Sequence, residues 1–210
     1  FSLKLIQIKL VLNFPMVKII PIDKLKPLEL VFPNHLRILS EMINVSKVIN
    51  SPIIADRDTG VVLDGSHRYI FFLANGYKEA PVKFVNYMDE NIRVGTHLMH
   101  RHIIDDTTGI SKREVLERGI SGRLFPPRTT RNFFPFRKNT FADVSLEVLK
   151  RGELVNCDKY ISNVSIEAEI NHNKKYIQEI EFELDEIIKY MDEIRLTKNY
   201  LQKQVSGMNR

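Results

Sequence analysis

The spacing of apolar residues alternates between the two-residue period of strands and the longer period of helices. Short runs rich in Val and Ile predict strands at residues 17–22, 48–55, 61–63 and 81–87. Helical spacing lies between and after them, at residues 35–44, 69–74 and 111–119. Strands that alternate with helices in this way predict a compact α/β unit.

Turn residues support the limits of these elements. Residues 56–60, Asp-Arg-Asp-Thr-Gly, predict a hairpin turn, and Asn75-Gly76 predicts the end of the second helix. Ser111 and Glu114 have the spacing of a capping box, so we expect Ser111 to begin the third helix, which ends near Gly119.

The C-terminal part of the chain has a different pattern, in which apolar residues recur at alternating steps of four and three. The repeat consists of Ile166, Ile170, Asn173, Ile177, Ile180, Leu184, Ile187, Met191, Ile194, Lys198, Leu201 and Val205. This spacing is typical of a coiled coil, so residues 166–205 are expected to join two chains in a homodimer. Asn173 and Lys198 would fix its register. The alternative is an amphipathic helix that packs against its own domain.

Composition bounds the organisation of the chain. With 43% hydrophobic residues in 210, the chain has material for one ordinary core and an appendage. We assign residues 1–15 to an N-terminal extension, residues 16–155 to the core domain and residues 160–206 to the coiled-coil helix.

Cysteine usage and the start of the chain bear on its location. Cys157 is the single cysteine, so no internal disulfide forms and a cytoplasmic location is expected. The apolar residues 1–12 are interrupted by Lys4 and Lys9 and are too short to span a bilayer. We therefore expect neither a signal peptide nor a membrane anchor, and Met16 is a candidate start of translation.

The net charge of +5 is concentrated in one segment. Residues 101–140 contain nine Lys or Arg and four Asp or Glu, which accounts for the whole excess. Such a patch attracts phosphate on a nucleotide, a nucleic acid or a membrane surface, although a solvated face has the same composition.

The strongest candidate for chemistry is the segment Asp64-Gly65-Ser66-His67-Arg68, between the strand at 61–63 and the helix that follows. A strand that enters a helix through a glycine places backbone amides beside His67 and Arg68, which suits a phosphate. The alternative is an ordinary turn with a surface histidine.

A second candidate is the segment 126–132, Pro-Pro-Arg-Thr-Thr-Arg-Asn. Its prolines stiffen the backbone, and its arginines and hydroxyl groups can bind phosphate oxygens. A connector that packs its prolines and the following aromatic residues onto the core is the alternative.

Three histidines form a weaker candidate. His97, His100 and His102 lie close in sequence, and the last two would share one face of a strand. A metal site is possible in principle, but a half-buried strand face is the favoured interpretation.

The order of these motifs resembles a known fold. The motif at residues 64–68, Asn75-Gly76 and a strand at 81–82 resemble the signature of the ParB/sulfiredoxin-like fold. The Lys-Pro-Leu-Glu turn at 26–29 and the Thr-Thr-Arg loop at 129–131, followed by Phe-Pro-Phe at 134–136, narrow this resemblance. Over residues 17–149 the chain is most similar to the branch of the free serine kinases, which phosphorylate unbound L-serine with a nucleotide donor. The resemblance implies an α/β (α+β) domain, here followed by a long coiled-coil helix.

The resemblance also implies roles for individual residues. The catalytic residues would be Glu29, Asp64 and His67. Glu29 would be the base, Asp64 would bind Mg²⁺ or orient the hydroxyl group, and His67 would also bind phosphate. The residues expected to bind the phosphates of ATP or ADP are Gly65, Ser66, His67, Arg68, Arg128, Thr129, Thr130 and Arg131.

Three departures from the family pattern are visible. Ser66 stands where sulfiredoxins have a reactive cysteine, so reduction of sulfinic acid is not expected. Asn132 stands where the kinase branch commonly has histidine. The segment between residues 87 and 124 is shorter than the insertion of archaeal kinase relatives.

Three classes of function follow. A nucleotide-dependent kinase acting on free serine or a related metabolite is favoured. A ParB-like regulator that binds nucleotide and DNA is the alternative, but no helix-turn-helix pattern follows the core, so DNA is the less favoured partner. The third is a coiled-coil scaffold without enzymatic activity.

Overall fold

The structure is a computed structural model, and it describes residues 17–96, 109–136 and 141–208. Within these residues the strands β1 to β8 are Lys18–Pro21, Val48–Ile49, Ile53–Asp56, Val62–Asp64, Glu79–Val85, Arg93–Thr96, Thr130–Phe133 and Val144–Ser145. The helices α1 to α4 are Pro33–Ser46, Ser66–Ala74, Lys112–Ser121 and Ile166–Met208. Two predictions fall outside the described residues: the N-terminal extension at residues 1–15 and the histidine candidate formed by His97, His100 and His102.

A mixed four-stranded sheet forms the centre, with the strand order β1-β5-β3-β4. The central strands β3 and β5 are parallel, while β1 and β4 pair with them in the antiparallel direction. Strand β3 is buried on both faces, as expected for a central strand. Ile53 and Ala55 share a core cluster with side chains of α2, whereas Ile54 shares a second cluster with Val115 of α3.

The predicted strand at residues 48–55 is wrong in one respect, because it is two strands. Strand β2 pairs with β8, while β3 belongs to the central sheet. Pro52 lies between them, and proline has no backbone N–H to donate to a sheet. The apolar run is continuous, but its hydrogen bonding is interrupted.

Other limits also differ from the prediction. Helix α2 begins at Ser66, three residues before the predicted start, because Gly65 at φ 98° lets the chain turn directly from β4 into the helix. The segment 126–132 was expected to be a loop, yet its last part forms β7, which pairs with β6 in the antiparallel direction.

Helix α3 begins as predicted but ends later. The Ser111 Oγ accepts a hydrogen bond from the Glu114 N–H at 3.1 Å, which confirms the cap. The helix continues to Ser121, and Gly122 at φ 71° ends it. Gly119 has another role: a Cβ added there would lie 2.5 Å from Cγ1 of Val61, so the missing side chain allows α3 to approach Val61, the residue before β4, closely.

The chain returns to the core before the last helix begins. Cys157 is buried in the same core cluster as α2, and Ile161 forms a bridge with Val31. Helix α4 then extends for 43 residues, roughly 65 Å at 1.5 Å per residue, which confirms the long C-terminal helix. Most apolar residues of its heptad repeat are exposed. Among the described residues, no helix has the length and apolar character needed to cross a membrane.

Candidate active site

A cleft of about 340 Å³ opens where β4 ends and α2 begins. Its walls are Glu29, His35, Leu39, Leu63, Asp64, Gly65, Ser66, His67, Arg68, Arg128 and Thr130. Most residues predicted for the site therefore lie together, although they come from three separate segments of the chain. Thr129 and Arg131 are not among the lining residues.

Glu29 is held between two other segments of the chain. The Leu30 N–H donates to the carbonyl of Phe125, and the Val31 N–H donates to the carbonyl of Tyr160, both at 2.9 Å. These contacts fix the extended backbone on the C-terminal side of Glu29, so the carboxylate enters the cleft from a rigid support.

The carboxylate of Glu29 combines burial with three hydrogen bonds. Its Oε1 accepts from the Thr130 N–H at 2.6 Å and the Thr130 hydroxyl at 2.7 Å, and its Oε2 accepts from the Arg128 N–H at 3.2 Å. Burial raises the pKa of Glu29 to about 7, against the opposing effect of these bonds. A carboxyl group with this pKa can accept or release a proton near neutral pH.

The turn between β4 and α2 depends on Gly65. A Cβ at this position would lie 2.8 Å from Nη2 of Arg68. That Nη2 donates to the Asp64 carboxylate at 2.9 Å and to the Pro52 carbonyl at 3.1 Å. Arg68 therefore stabilises the turn while its guanidinium lines the cleft. Ser66 and His67, in the first turn of α2, also line the cleft, and the first N–H groups of a helix have no intrahelical acceptors.

Asp64 and Glu29 are the carboxylates that line the cleft. Mg²⁺ is commonly held by one or two carboxylates together with substrate phosphates, and the position of Asp64 just before the N-terminus of α2 suits that arrangement. Among the described residues, no group of three or more His, Cys, Asp or Glu side chains is placed to hold a metal ion by itself.

His67 is a neutral imidazole in this setting, with one ring nitrogen that accepts a hydrogen bond and one that carries the proton. Its Nε2 accepts from the Phe32 N–H at 3.1 Å, so the ring proton lies on Nδ1. The ring stacks on His35 with centroids 4.2 Å apart. Burial, His35 and the two arginines Arg128 and Arg68 lower the pKa of His67 to about 3. His67 therefore does not add a positive charge at neutral pH.

His35 is a cleft residue that the sequence interpretation missed. It is the third residue of α1, and burial followed by the charge of Arg128 lowers its pKa. The helical spacing placed it only at the start of a helix. Pro33 at the start of α1 indicates where the helix begins, but it does not indicate that His35 lines the cleft.

Arg128 connects the cleft to the last helix. Its backbone lies in the left-handed region at φ 58°. Its Nη1 donates to Oδ1 of Asn173 at 2.6 Å, and its Nη2 lies 3.4 Å from Nδ1 of His35. Asn173 was predicted as a polar position in the coiled-coil seam, but its side chain contacts this arginine.

The remaining residues of the loop support it from outside the cleft. The Thr129 hydroxyl donates to the Pro126 carbonyl at 2.9 Å, and the guanidinium of Arg131 lies over the ring of Phe133. Asn132 is buried: its Oδ1 accepts from the Tyr87 hydroxyl at 2.6 Å and its Nδ2 donates to the Leu63 carbonyl at 2.8 Å. Asn132 thus joins β7 to the strand that carries Asp64.

The mixed sheet and its strand-glycine-helix turn confirm the α+β fold inferred from the motifs, and solved structures of a free serine kinase and of SbnI have a similar fold. A free serine kinase in complex with AMP has a TM-score of 0.55 and 18% identity, covering 64% of this chain and 93% of the kinase. SbnI from Staphylococcus aureus, with a C-terminal truncation, has a TM-score of 0.53 and 16% identity, covering 78% of this chain and 96% of SbnI.

Two curated proteins are similar in sequence over shorter regions. An ATP-dependent L-serine kinase of Staphylothermus marinus is 37% identical over 82 residues, which are 37% of this chain and 32% of the kinase. A ParB-like protein of Sulfolobus acidocaldarius is 36% identical over 77 residues, which are 32% of this chain and 39% of that protein. The chain thus matches between about a third and two fifths of the length of these relatives. No protein-family model matches the chain.

Proposed function

We propose that the protein is a nucleotide-dependent kinase that phosphorylates free L-serine, with ATP or ADP as the phosphate donor. The similarity to an ATP-dependent L-serine kinase and the fold shared with a free serine kinase support this class. The observation that carries the proposal is the carboxylate of Glu29, whose pKa of about 7 suits a base and which lies in a cleft beside Arg68 and Arg128.

In this mechanism the serine hydroxyl loses its proton to Glu29 as its oxygen attacks the terminal phosphorus of the nucleotide. A new O–P bond forms, and the bond from that phosphorus to the nucleotide oxygen breaks, which leaves the shortened nucleotide. The first amides of α2, Nδ1–H of His67 and the guanidinium of Arg128 bind the phosphate oxygens. Asp64 would hold Mg²⁺, which supplies charge neutralisation on the phosphates.

The test is direct detection of O-phosphoserine by phosphorus NMR after incubation with serine, Mg²⁺ and either ATP or ADP. Wild-type protein should form the product, and Glu29→Gln should lose at least about 100-fold in rate, since it removes the base. Glu41→Gln, an exposed glutamate of α1, is the matched control and should retain the wild-type rate. Absence of product in wild type, or full activity in Glu29→Gln, would refute the proposal.

The second candidate function is a ParB-like regulator that binds nucleotide and DNA. It is favoured by the relative of Sulfolobus acidocaldarius, which is described as a ParB-like protein. Binding to duplex DNA that weakens steeply with salt, without formation of phosphoserine, would support this function over the kinase.

We further propose that α4 joins two copies of the chain. Apolar residues at the predicted seam positions are exposed along the outer part of the helix, including Ile177, Leu184, Ile187 and Ile194. A second helix with the same repeat offers them a matching apolar surface, as in other coiled coils.

A further inference from the structure

The first two turns of α4 lie against the cleft, although the rest of the helix extends away from the core. The Glu169 carboxylate accepts from the backbone N–H groups of Asn34 and His35 at 3.0 and 2.8 Å, and this side chain is 1% exposed. His172 contacts the ring of Phe32, with centroids 4.9 Å apart. The start of α4 therefore caps the first turn of α1, the turn that carries His35.

Asn173 extends this contact to the cationic side of the cleft. Its Oδ1 accepts from Nη1 of Arg128 at 2.6 Å, while the backbone N–H of Arg128 donates to Glu29. A non-glycine residue at φ 58° is held in a sparsely populated conformation by its surroundings. Arg128 is anchored at both ends, by Glu29 through its backbone and by Asn173 through its guanidinium.

The chemical nature of this anchor matters for the binding of phosphate. An amide oxygen orients a guanidinium without cancelling its charge, whereas a carboxylate at the same place would cancel it and compete with phosphate oxygens. Asparagine is thus suited to hold Arg128 ready for an anionic ligand.

We propose that Asn173 is a positioning residue for Arg128, so that the first turns of α4 form part of the nucleotide site. The inference rests on the proposed function, because it takes the phosphates of a nucleotide as the ligand of Arg128. It adds a residue of the C-terminal helix that neither the motifs nor the resemblance assigned to the site.

The experiment compares the affinity of the full chain for ADP with Mg²⁺ by calorimetry in wild type, Asn173→Asp and Asn173→Ala. Both variants should bind ADP more weakly than wild type does. The affinity of Asn173→Asp should fall by at least about tenfold, because the new carboxylate would pair with Arg128 and so remove a charged contact to phosphate. The matched control is Asn171→Asp, the same change at an exposed position of the same helix, and it should bind as wild type does.

Thermal unfolding without ligand separates positioning from a purely structural role. An aspartate at position 173 can still accept from Arg128, so Asn173→Asp should unfold at or above the wild-type temperature while binding ADP poorly. Wild-type affinity in Asn173→Asp would overturn the inference and leave the kinase proposal intact. Failure of the wild-type protein itself to bind ADP would instead refute the proposed function, and the inference with it.

Discussion

Glu29 shows how one side chain can be firmly held and still change its protonation state near neutral pH. Three hydrogen bonds fix its orientation, and each favours the charged form, yet burial has the larger effect and raises the pKa to about 7. The folded state therefore holds this proton more tightly than the unfolded state does.

This difference makes stability depend on pH. Stability contributed by the protonated Glu29 is present below the ordinary pKa of 4.5 and is lost as the pH rises toward about 7. Glu29→Gln has no proton to lose, so it should be spared this decline. Urea unfolding of both proteins at about pH 5 and about pH 8 measures this effect. The unfolding free energy of Glu29→Gln, relative to that of wild type, should be higher at about pH 8 than at about pH 5. An unchanged difference would contradict a raised pKa.

The sequence predicted the residues of the cleft unevenly, and strand geometry explains why. Asp64 and its four neighbours are contiguous, so one turn brings them together. Thr129 and Arg131 were predicted with Thr130 because the segment was interpreted as a loop that closes over a ligand. Strand β7 begins at Thr130, and alternate side chains of a strand face opposite sides. Asn173 was assigned only to the coiled-coil seam, and its contact with Arg128 was unforeseen because the two residues are 45 positions apart in sequence.

At the scale of elements, α3 depends on a residue that favours helices poorly. Gly119 lies inside the helix, where glycine is less favourable than alanine by about 1 kcal/mol. The close contact with Val61 explains the choice, since any Cβ there meets a buried, β-branched side chain.

Gly119→Ala should accordingly leave the protein no more stable than wild type, or less stable, although alanine has the higher helix propensity. Overpacking costs about 1–3 kcal/mol, which exceeds or balances the gain of about 1 kcal/mol from alanine. The measurement is a double-mutant cycle by urea unfolding. Gly119→Ala should become neutral or stabilising when Val61→Ala is also present, because the clashing methyl groups are gone. An equal effect of Gly119→Ala in both backgrounds would mean that the side chain of Val61 does not cause the cost of a Cβ at position 119.

The existence of most elements was predictable, but some of their limits were not. The apolar run at residues 48–55 carries no period that distinguishes one strand from two, and only the pairing of β2 with β8 separates them. The end of α3 was placed at Gly119 because glycine commonly ends helices, whereas the packing on Val61 is a tertiary constraint. Local signals are informative for caps such as Ser111, where donor and acceptor are neighbours in sequence.

At the scale of the whole molecule, α4 carries a long row of exposed apolar residues. Ile187 is 56% exposed and lies in the predicted seam, while Phe182 is 67% exposed and lies on the opposite face of the repeat. A second copy that binds along the seam would cover the first residue and leave the second in solvent.

Light scattering coupled to gel filtration tests this arrangement. Wild-type protein should have the mass of a dimer, and Ile187→Lys should shift it to a monomer, since a charge in the seam opposes association. Phe182→Lys introduces the same charge outside the seam and should remain dimeric. Monomeric wild-type protein, or equal behaviour of the two variants, would rule out this seam as the interface.

The return of the chain to the core after β8 has a practical consequence for shortening the protein. Ile161 and Glu169 contact residues that lie more than 100 positions earlier in the chain, and Cys157 is buried in the core cluster that contains α2. The folded unit therefore does not stop where the last strand stops. A truncated version that ends near residue 155 would expose the edge of the Glu29 segment and uncap α1. A useful cut from the C-terminal side therefore falls beyond Asn173, in the part of α4 that contacts solvent.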